Sequence, residues 1–348
     1  MTVGDGRVTD IRGDESDPLL LAGPANDALV AFELALATVD TAAALEVVES
    51  QLAQGVPPVV VLTDVVATAQ RNVGTRWQRG DWTVAEEHAA TAVAAAATEA
   101  VARYTRQLPV TRGKALVACA EREWHALPAM IIDCALRADG WDTTLLGAST
   151  SPLRLGQYLQ DLGPDALAVS CSMLGALPTT RRFVEASTTA GIPIVVGGAA
   201  FGPDDVRARA LGATAWAADA QSAVLAAREL PTVVQAAAPL PVEATAEQAT
   251  LELSHRELVA RLQSVWEVDP ALEIVEDAIT QTLHAVWAAL LTGDSRPIPQ
   301  TAHWITELLD ARQGDPSATV ALGHHLRTEL RDYPLSHSLV AGSWPTGG

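Results

Sequence analysis

The hydrophobic positions of this chain change period twice. From Ala25 to about Leu108 they recur at intervals of three and four, the spacing of amphipathic helices. Leu29, Phe32, Leu36 and Val39 share one face of a first helix, with Asn26 or Asp27 placed to cap it. Asp40 or Thr41 opens a second helix with Leu45, Val48 and Leu52 inward, and Gly55 closes it. Pro57-Pro58 starts a third, which turns Val61, Leu62, Val65, Val66, Ala69 and Val73 inward and runs towards Trp77. A turn at Arg79-Gly80-Asp81 leads to a fourth, from Val84 to about Arg106. Connections this short make neighbours antiparallel, so residues 24–109 are predicted to form a four-helix bundle.

Beyond a linker at Pro109 to Gly113, short apolar runs alternate with helical patterns. Ala115–Cys119, Thr143–Leu146, Ala166–Ser170, Ile192–Val196 and about Ala213–Ala217 are predicted strands. Helices are predicted near Ala126–Ala138, Leu153–Leu162, Thr179–Ala190, Asp204–Leu211, and onward to Leu230. Continuous apolar strands separated by helices specify a doubly wound parallel sheet over 114–230. Ligands of such sheets sit beyond the carboxyl ends of the strands. Pro231 to Pro241 is a Pro/Ala linker, and residues 243–348 return to a helical period. Its stripes are Leu258, Leu262 and Val265; a long helix from Ala271 to Leu291 with His284 and Trp287; Trp304, Ile305, Leu308 and Leu309; and a helix opened by Pro316 through Val320, Leu322 and Leu326. The expected fold is thus α plus α/β: bundle, parallel-sheet domain, and an all-helical C-terminal domain. Residues 1–23 are polar and aperiodic, as in a mobile tail.

Charge and composition narrow the function. Acids outnumber bases 42 to 23, a net charge of −19, and Lys114 is the sole lysine. That field repels phosphate backbones, so no nucleic-acid partner is expected. The longest uncharged run, the 18 residues Ala186 to Pro203, contains Gly and Pro and is short of the ~20 a spanning helix needs. The acidic N-terminus lacks a signal peptide's charge and apolar core. Cys119, Cys134 and Cys171 lie in apolar runs without paired spacing, which fits a cytoplasmic protein without disulfides. There is no Walker loop, Ser-His-Asp arrangement or zinc spacing, so no separate catalytic residues are expected.

The chemistry concentrates at the sheet's ligand edge. Glu121-Arg-Glu-Trp-His-Ala-Leu-Pro128 leaves the first strand there, with His125 two residues after Glu123. A carboxylate on one ring nitrogen fixes the tautomer and raises the basicity of the other, as around a metal-ligating histidine. Ser170-x-Ser172 follows the third strand and Gly197-Gly198 the fourth. This set resembles the cobalamin-binding domain family, with its Asp-x-His-x-x-Gly, Ser-x-Leu and Gly-Gly motifs. The resemblance implies that His125 is the lower cobalt ligand with Glu123 as its partner. It also implies that Ala126, Leu127, Gly147, Ser170, Ser172, Leu174, Gly197 and Gly198 border the cofactor and its displaced nucleotide tail. Glu123 replaces Asp, Pro128 replaces Gly and Ser172 replaces Leu in the family pattern.

Trp77-Gln-Arg-Gly-Asp-Trp-Thr-Val-Ala-Glu-Glu-His88 joins the third and fourth bundle helices. Val84 and His88 are four apart, on one helix face, with Glu87 adjacent. This spacing resembles the cobalamin photoreceptors of the CarH type. The resemblance implies that Trp77, Val84, Glu87 and His88 surround an upper adenosyl group, with His88 able to bind cobalt after light. It implies adenosylcobalamin as the cofactor and a homo-oligomer whose assembly responds to light. Only about 24 residues, acidic in balance, precede the bundle, so direct DNA regulation is not expected. The domain order resembles the photocobilins, which add a globin-like helical domain holding biliverdin. No cysteine lies beyond Cys171, so a bilin held by the C-terminal helices alone would be non-covalent. Its propionates would need Arg256, Arg261, Arg296, Arg312, Arg327 or Arg331. Two other readings stay open: a corrinoid methyl carrier or B12 subunit of an enzyme, and a C-terminal domain used for dimerisation or for docking a separate effector protein.

Overall fold

The computed structural model describes residues 24–269 and 274–346. The expected tail at 1–23 and Ala271 lie outside the described residues. The bundle comprises α1 (Pro24–Ala37), α2 (Thr41–Ala53), a rod of α3 (Pro58–Val60), a π-helical stretch (Val61–Ala67) and α4 (Thr68–Gln78), and α5 (Val84–Thr105). Asn26 and Asp27 lie inside the first turn of α1 rather than before it. Val39 is in the turn after α1, with a positive φ of 53° and half its surface exposed, so it leaves the apolar face assigned to it. Asp40 caps α2 by accepting from the Ala43 N–H at 3.0 Å. Thr83 and Glu86 form a reciprocal capping box at the start of α5.

The predicted inward residues of the rod are all buried, yet its winding differs from expectation. Over Val61–Ala67 the backbone is π-helical, and the Thr68 hydroxyl donates to the Thr63 carbonyl five residues back, at 3.0 Å. The run is crowded with β-branched residues, which strain regular α-winding against the preceding turn. Such widened turns recur at functional sites.

Strands β1 (Lys114–Cys119), β2 (Asp142–Leu145), β3 (Ala166–Ser170), β4 (Ile194–Gly197) and β5 (Ala215–Ala217) form one parallel sheet in the order β2-β1-β3-β4-β5. Between them run α6 (Ala126–Ala138), α7 (Pro152–Leu162), α8 (Leu177–Thr189), α9 (Val206–Ala210), and after β5 α10 (Ala220–Arg228). Alternation along β1 divides the core. Ala115, Val117 and Cys119 face a cluster shared with α6 and the bundle, whereas Leu116 and Ala118 face one built with α7 and α8. The order reverses between β1 and β3, which places a ligand crevice at that point.

The C-terminal helices are α11 (Val242–Leu253), α12 (His255–Val265), α13 (Val275–Thr292), α14 (Pro297–Ala311), α15 (Ala318–Glu329) and α16 (Pro334–Ser343). Val265 is exposed, and its expected place in the apolar stripe is taken by the buried Trp266. The 231–241 segment is laid along α8: Arg181 donates to the Ala238 carbonyl at 2.7 Å, and the Thr188 hydroxyl accepts from the Ala237 N–H at 3.0 Å. Ala288 and Leu291 of α13 complete the second face of the sheet core, so these helices share a core with the sheet. A Cβ on Gly175, in the loop after β3, would lie 2.5 Å from the His284 ring, so only glycine admits this approach.

The fully buried Arg207 ties the two parts. It donates to Asp294 at 2.8 Å, to the Ala200 carbonyl at 2.8 Å and to Gln300 at 3.2 Å. Arg207→Met leaves Asp294 buried with Arg296 as its remaining ion-pair partner, and should destabilise the chain by about 3 kcal/mol. Denaturant titration checks this; an unchanged midpoint contradicts it.

Candidate functional site

The loop from β1 to α6 and the loop after β3 flank the crevice where the strand order reverses. Glu123 joins them. Its side chain is fully buried, and its Oε1 accepts from the His125 backbone N–H at 2.9 Å and from the His125 ring Nδ1 at 2.6 Å. Its Oε2 accepts from the backbone N–H groups of Ser172 and, at 3.0 Å, Met173. Burial works against the charged carboxylate, but these hydrogen bonds outweigh it and hold the group below the usual glutamate range. In return the carboxylate raises the affinity of His125 for a proton, with burial opposing and the charge of Glu87 on α5 adding.

His125 stands at the N-cap of α6 with 57% of its side chain exposed. A deprotonated carboxylate only accepts, so Nδ1 carries the proton and Nε2 is left with its lone pair outward. Nε2 has no hydrogen-bond partner among the described residues. Beside His125, Trp124 is 74% exposed, an uncovered aromatic at the ligand edge.

Behind this loop lies a cavity of about 530 Å³. Leu127, Ser170, Ser172, Gly197 and Gly198 line it, as the sequence leads one to expect. A Cβ on Gly198 would meet the Cys171 backbone, and one on Gly197 would lie 2.5 Å from the Ala217 carbonyl oxygen, so the wall is kept to bare backbone. Sequence reasoning missed the opposite wall: Thr63 and Ala67 from the π-helical stretch, Gln70 and Arg71 from α4, and Gly202-Pro203 after β4. The β-branched crowding before Thr68 was the available signal. Ala126, Gly147 and Leu174 do not line the cavity. Ala126 opens α6, the Gly147 carbonyl accepts from the Cys119 N–H at 3.1 Å, and Leu174 packs between the sheet core and the C-terminal helices.

Trp77 ends α4, and Val84, Glu87 and His88 occupy the first turns of α5. Val84 is 54% exposed, and the His88 side chain 73%, its Nε2 3.5 Å from Glu87. Glu87 also accepts from the Thr91 hydroxyl at 3.1 Å, and Thr91 in turn accepts from Gln70 on the cavity wall at 2.6 Å. Through Thr91 and Gln70, Glu87 is thus tied to the wall of that cavity.

Residues 113–227 match the family profile "B12 binding domain", and residues 29–102 match a second profile of the same description. The chain carries a cobalamin-binding module. "HTH-type transcriptional repressor CarH" of Myxococcus xanthus is 28% identical over 148 residues, 41% of this chain and 48% of that protein. The chain thus spans about half the length of that curated relative. Among solved structures, the monomethylamine corrinoid protein of Methanosarcina barkeri has the same fold over 59% of this chain and 98% of its own, with a TM-score of 0.52 and 18% identity. The methanol:cobalamin methyltransferase complex MtaBC of the same organism covers 59% of this chain and 80% of its own, at 19% identity and a TM-score of 0.31.

The residues of the module fit cobalamin. An exposed imidazole with a fixed tautomer can ligate cobalt, and a cavity with one wall of bare glycine backbone and small side chains and the other of α4 and the π-helical stretch has room for a nucleotide tail. The three cysteines are free and buried, and burial pushes each thiol up to about 12, which keeps them as unreactive thiols.

A second polar cluster lies beneath the module. His255 and His284 stack with centroids 5.3 Å apart, and Trp287 packs 4.8 Å from His284. His255 Nδ1, His284 Nδ1 and Trp287 Nε1 are enclosed without hydrogen-bond partners. Burial, then the nearby His255 and Arg122, push His284 down to about 3. Because the folded state disfavours the proton, stability is full above the ordinary histidine value of about 6.5 and falls as pH drops towards 3. At pH 5 the penalty is about 2 kcal/mol. His284→Asn should therefore lose about 2 kcal/mol less stability than wild type between pH 7.5 and 5; equal losses contradict the assignment.

Proposed function

We propose that the chain is a photoreceptor that holds adenosylcobalamin between the bundle and the sheet, not an enzyme. The observation that supports this most concerns the set Trp77, Val84, Glu87 and His88: Val84 and His88 stand exposed on α5, and Glu87 is linked through Thr91 to Gln70 on the cavity wall. That set carries the resemblance to CarH-type photoreceptors. When bound, adenosylcobalamin supplies a cobalt–carbon bond that visible light breaks.

The chain's own residues have distinct tasks. His125 offers Nε2 from below while Glu123 retains the Nδ1 proton and ties the ligand loop to β3. The cavity takes the tail and keeps it off the metal. Trp77 and Val84 would cover the upper group, and Glu87 would present an acceptor to its sugar. His88 is exposed, with its Nε2 3.5 Å from Glu87, and would supply an imidazole to the upper side once light has acted. The signal then leaves as a changed assembly of copies of this chain or as altered docking of a separate effector protein.

A methyl-carrying corrinoid protein is the competing reading, favoured by the shared fold with the M. barkeri corrinoid protein. Such a carrier needs an open upper face for methyl donors and acceptors, and an indole at Trp77 over the upper ligand, as proposed here, would obstruct it.

The C-terminal helices extend the proposal to a bilin. The three unpartnered ring nitrogens of His255, His284 and Trp287 suit the polar pyrrole groups of biliverdin in a globin-like domain. Of the candidate arginines, Arg261 pairs with Glu257 and Glu329, and Arg296 with Asp204 and Asp294. Arg312 is committed to the bundle, and Arg331 donates to the Thr328 carbonyl at 3.0 Å. Arg256 and Arg327 have no ion pair among the described residues, which leaves them for propionates.

Cobalamin titration followed by green light tests the first part. Glu123→Gln should weaken binding about tenfold, and His125→Ala more. His88→Ala should give a photoproduct spectrum different from wild type; an identical one contradicts the upper-ligand role of His88. The full chain with biliverdin should give a red-absorbing complex that releases its pigment on denaturation. A colourless full chain contradicts the bilin assignment alone.

A further inference from the structure

The C-terminal helices hold three of the segments assigned to cobalamin. Glu252 of α11 pairs at 2.8 Å with Arg122, in the His125 loop. Asp294 and Arg296 hold Arg207 and Asp204, which follow the Gly197-Gly198 turn. The third grip is at Trp77. Arg312, at the end of α14, donates from Nη2 to the Trp77 carbonyl at 3.0 Å and from Nη1 to the Gln78 carbonyl at 2.9 Å. Its guanidinium carbon lies 5.3 Å from the centre of the Trp77 ring. Glu307, one turn earlier on α14, accepts from the Gln78 side chain at 2.8 Å.

The turn after α4 already supplies the Trp77 carbonyl with the Gly80 N–H at 3.0 Å, so Arg312 adds a second donor there and a donor to the Gln78 carbonyl, tying the end of the helix to α14. The fork of arginine supplies two parallel donors and a flat cation for an aromatic face in one group. Arg312 has no carboxylate partner among the described residues, unlike the paired Arg207, Arg261 and Arg296. A half-buried guanidinium without a counter-ion is costly to keep, and all its assigned contacts fall on Trp77 and its neighbour. The backbone turn that follows, Arg79 to Thr83, leads directly to Val84, Glu87 and His88.

We propose that Arg312 is a positioning residue for the upper face: by holding the Trp77 backbone and ring together, it sets the indole over the upper ligand and makes the C-terminal helices part of the roof. This rests on the reading that Trp77 faces the upper ligand. Coupling of this kind is reciprocal, so whatever displaces Trp77 is felt at α14.

The test uses the full chain with two cobalamins, adenosylcobalamin, whose upper group is large, and hydroxocobalamin, whose upper group is small. Arg312→Ala should weaken adenosylcobalamin about tenfold, the loss of one cation–π contact and two charged hydrogen bonds partly replaced by water, and leave hydroxocobalamin unchanged. Trp77→Ala should show the same preference, and the double variant should be no worse than Trp77→Ala alone. Arg312→Lys, which keeps the cation without the fork, should recover part of the loss. Without any cobalamin, hydrogen exchange at Arg79 to Trp82 should speed up in Arg312→Ala. Equal weakening of both cobalamins, or of neither, or unchanged exchange overturns the positioning role while leaving the upper-face reading standing if Trp77→Ala keeps its preference. If Trp77→Ala itself shows no preference, the upper-face reading falls and the role of Arg312 falls with it.

Discussion

Everything at the ligand edge depends on one buried carboxylate. Glu123 has no solvent to stabilise it, so its charge persists only because four donors from two loops converge on it. Those donors are the backbone and ring of His125 on one side of the crevice and the Ser172 and Met173 amides on the other. The same contacts that make the charge tolerable fix the distance between the loops after β1 and β3 and the tautomer of His125. Replacement of the family's aspartate by glutamate adds a methylene, and the two-sided bridge shows that the longer side chain still spans the crevice.

The rest of the molecule is arranged around that bridge. The bundle reaches it through α6, whose N-cap is His125 and whose Arg137 donates to the Leu108 carbonyl beyond α5 at 2.6 Å. The C-terminal helices reach it from the opposite face of the sheet through His284 on Gly175 and through Glu252 on Arg122. A change at the ligand-edge loops therefore meets packed side chains on both sides, and cores at native density pass displacement on rather than absorb it.

Much of the sheet domain was legible because its signals are local. Ala126–Ala138 and Ala166–Ser170 fall where the apolar pattern puts them, and the spacing of Glu123 and His125 is short enough to be forced into contact by one turn. The winding of Val61–Ala67 was not legible, since the same inward residues serve an α- or a π-turn and hydrogen bonding alone tells them apart. The stripe ending at Val265 went wrong by one position because the helix ends there and Trp266, already extended, swings into the core. Arg312 on Trp77 and His284 on Gly175 were out of reach for a different reason. They join residues more than a hundred positions apart, and contacts across such separations leave no periodic trace in a single chain.

The central claim is that His125 supplies the lower nitrogen to cobalt, held ready by Glu123. Electron paramagnetic resonance of the reduced, paramagnetic cobalamin complex tests it directly, with the protein grown on nitrogen-15 histidine and the cofactor unlabelled. Each cobalt line is split by the axial nitrogen, into a triplet for the common isotope and a doublet for the heavy one. A doublet that returns to a triplet in unlabelled protein is the expected result. A triplet unchanged by labelling would show that the cofactor's own base, and not His125, is the ligand.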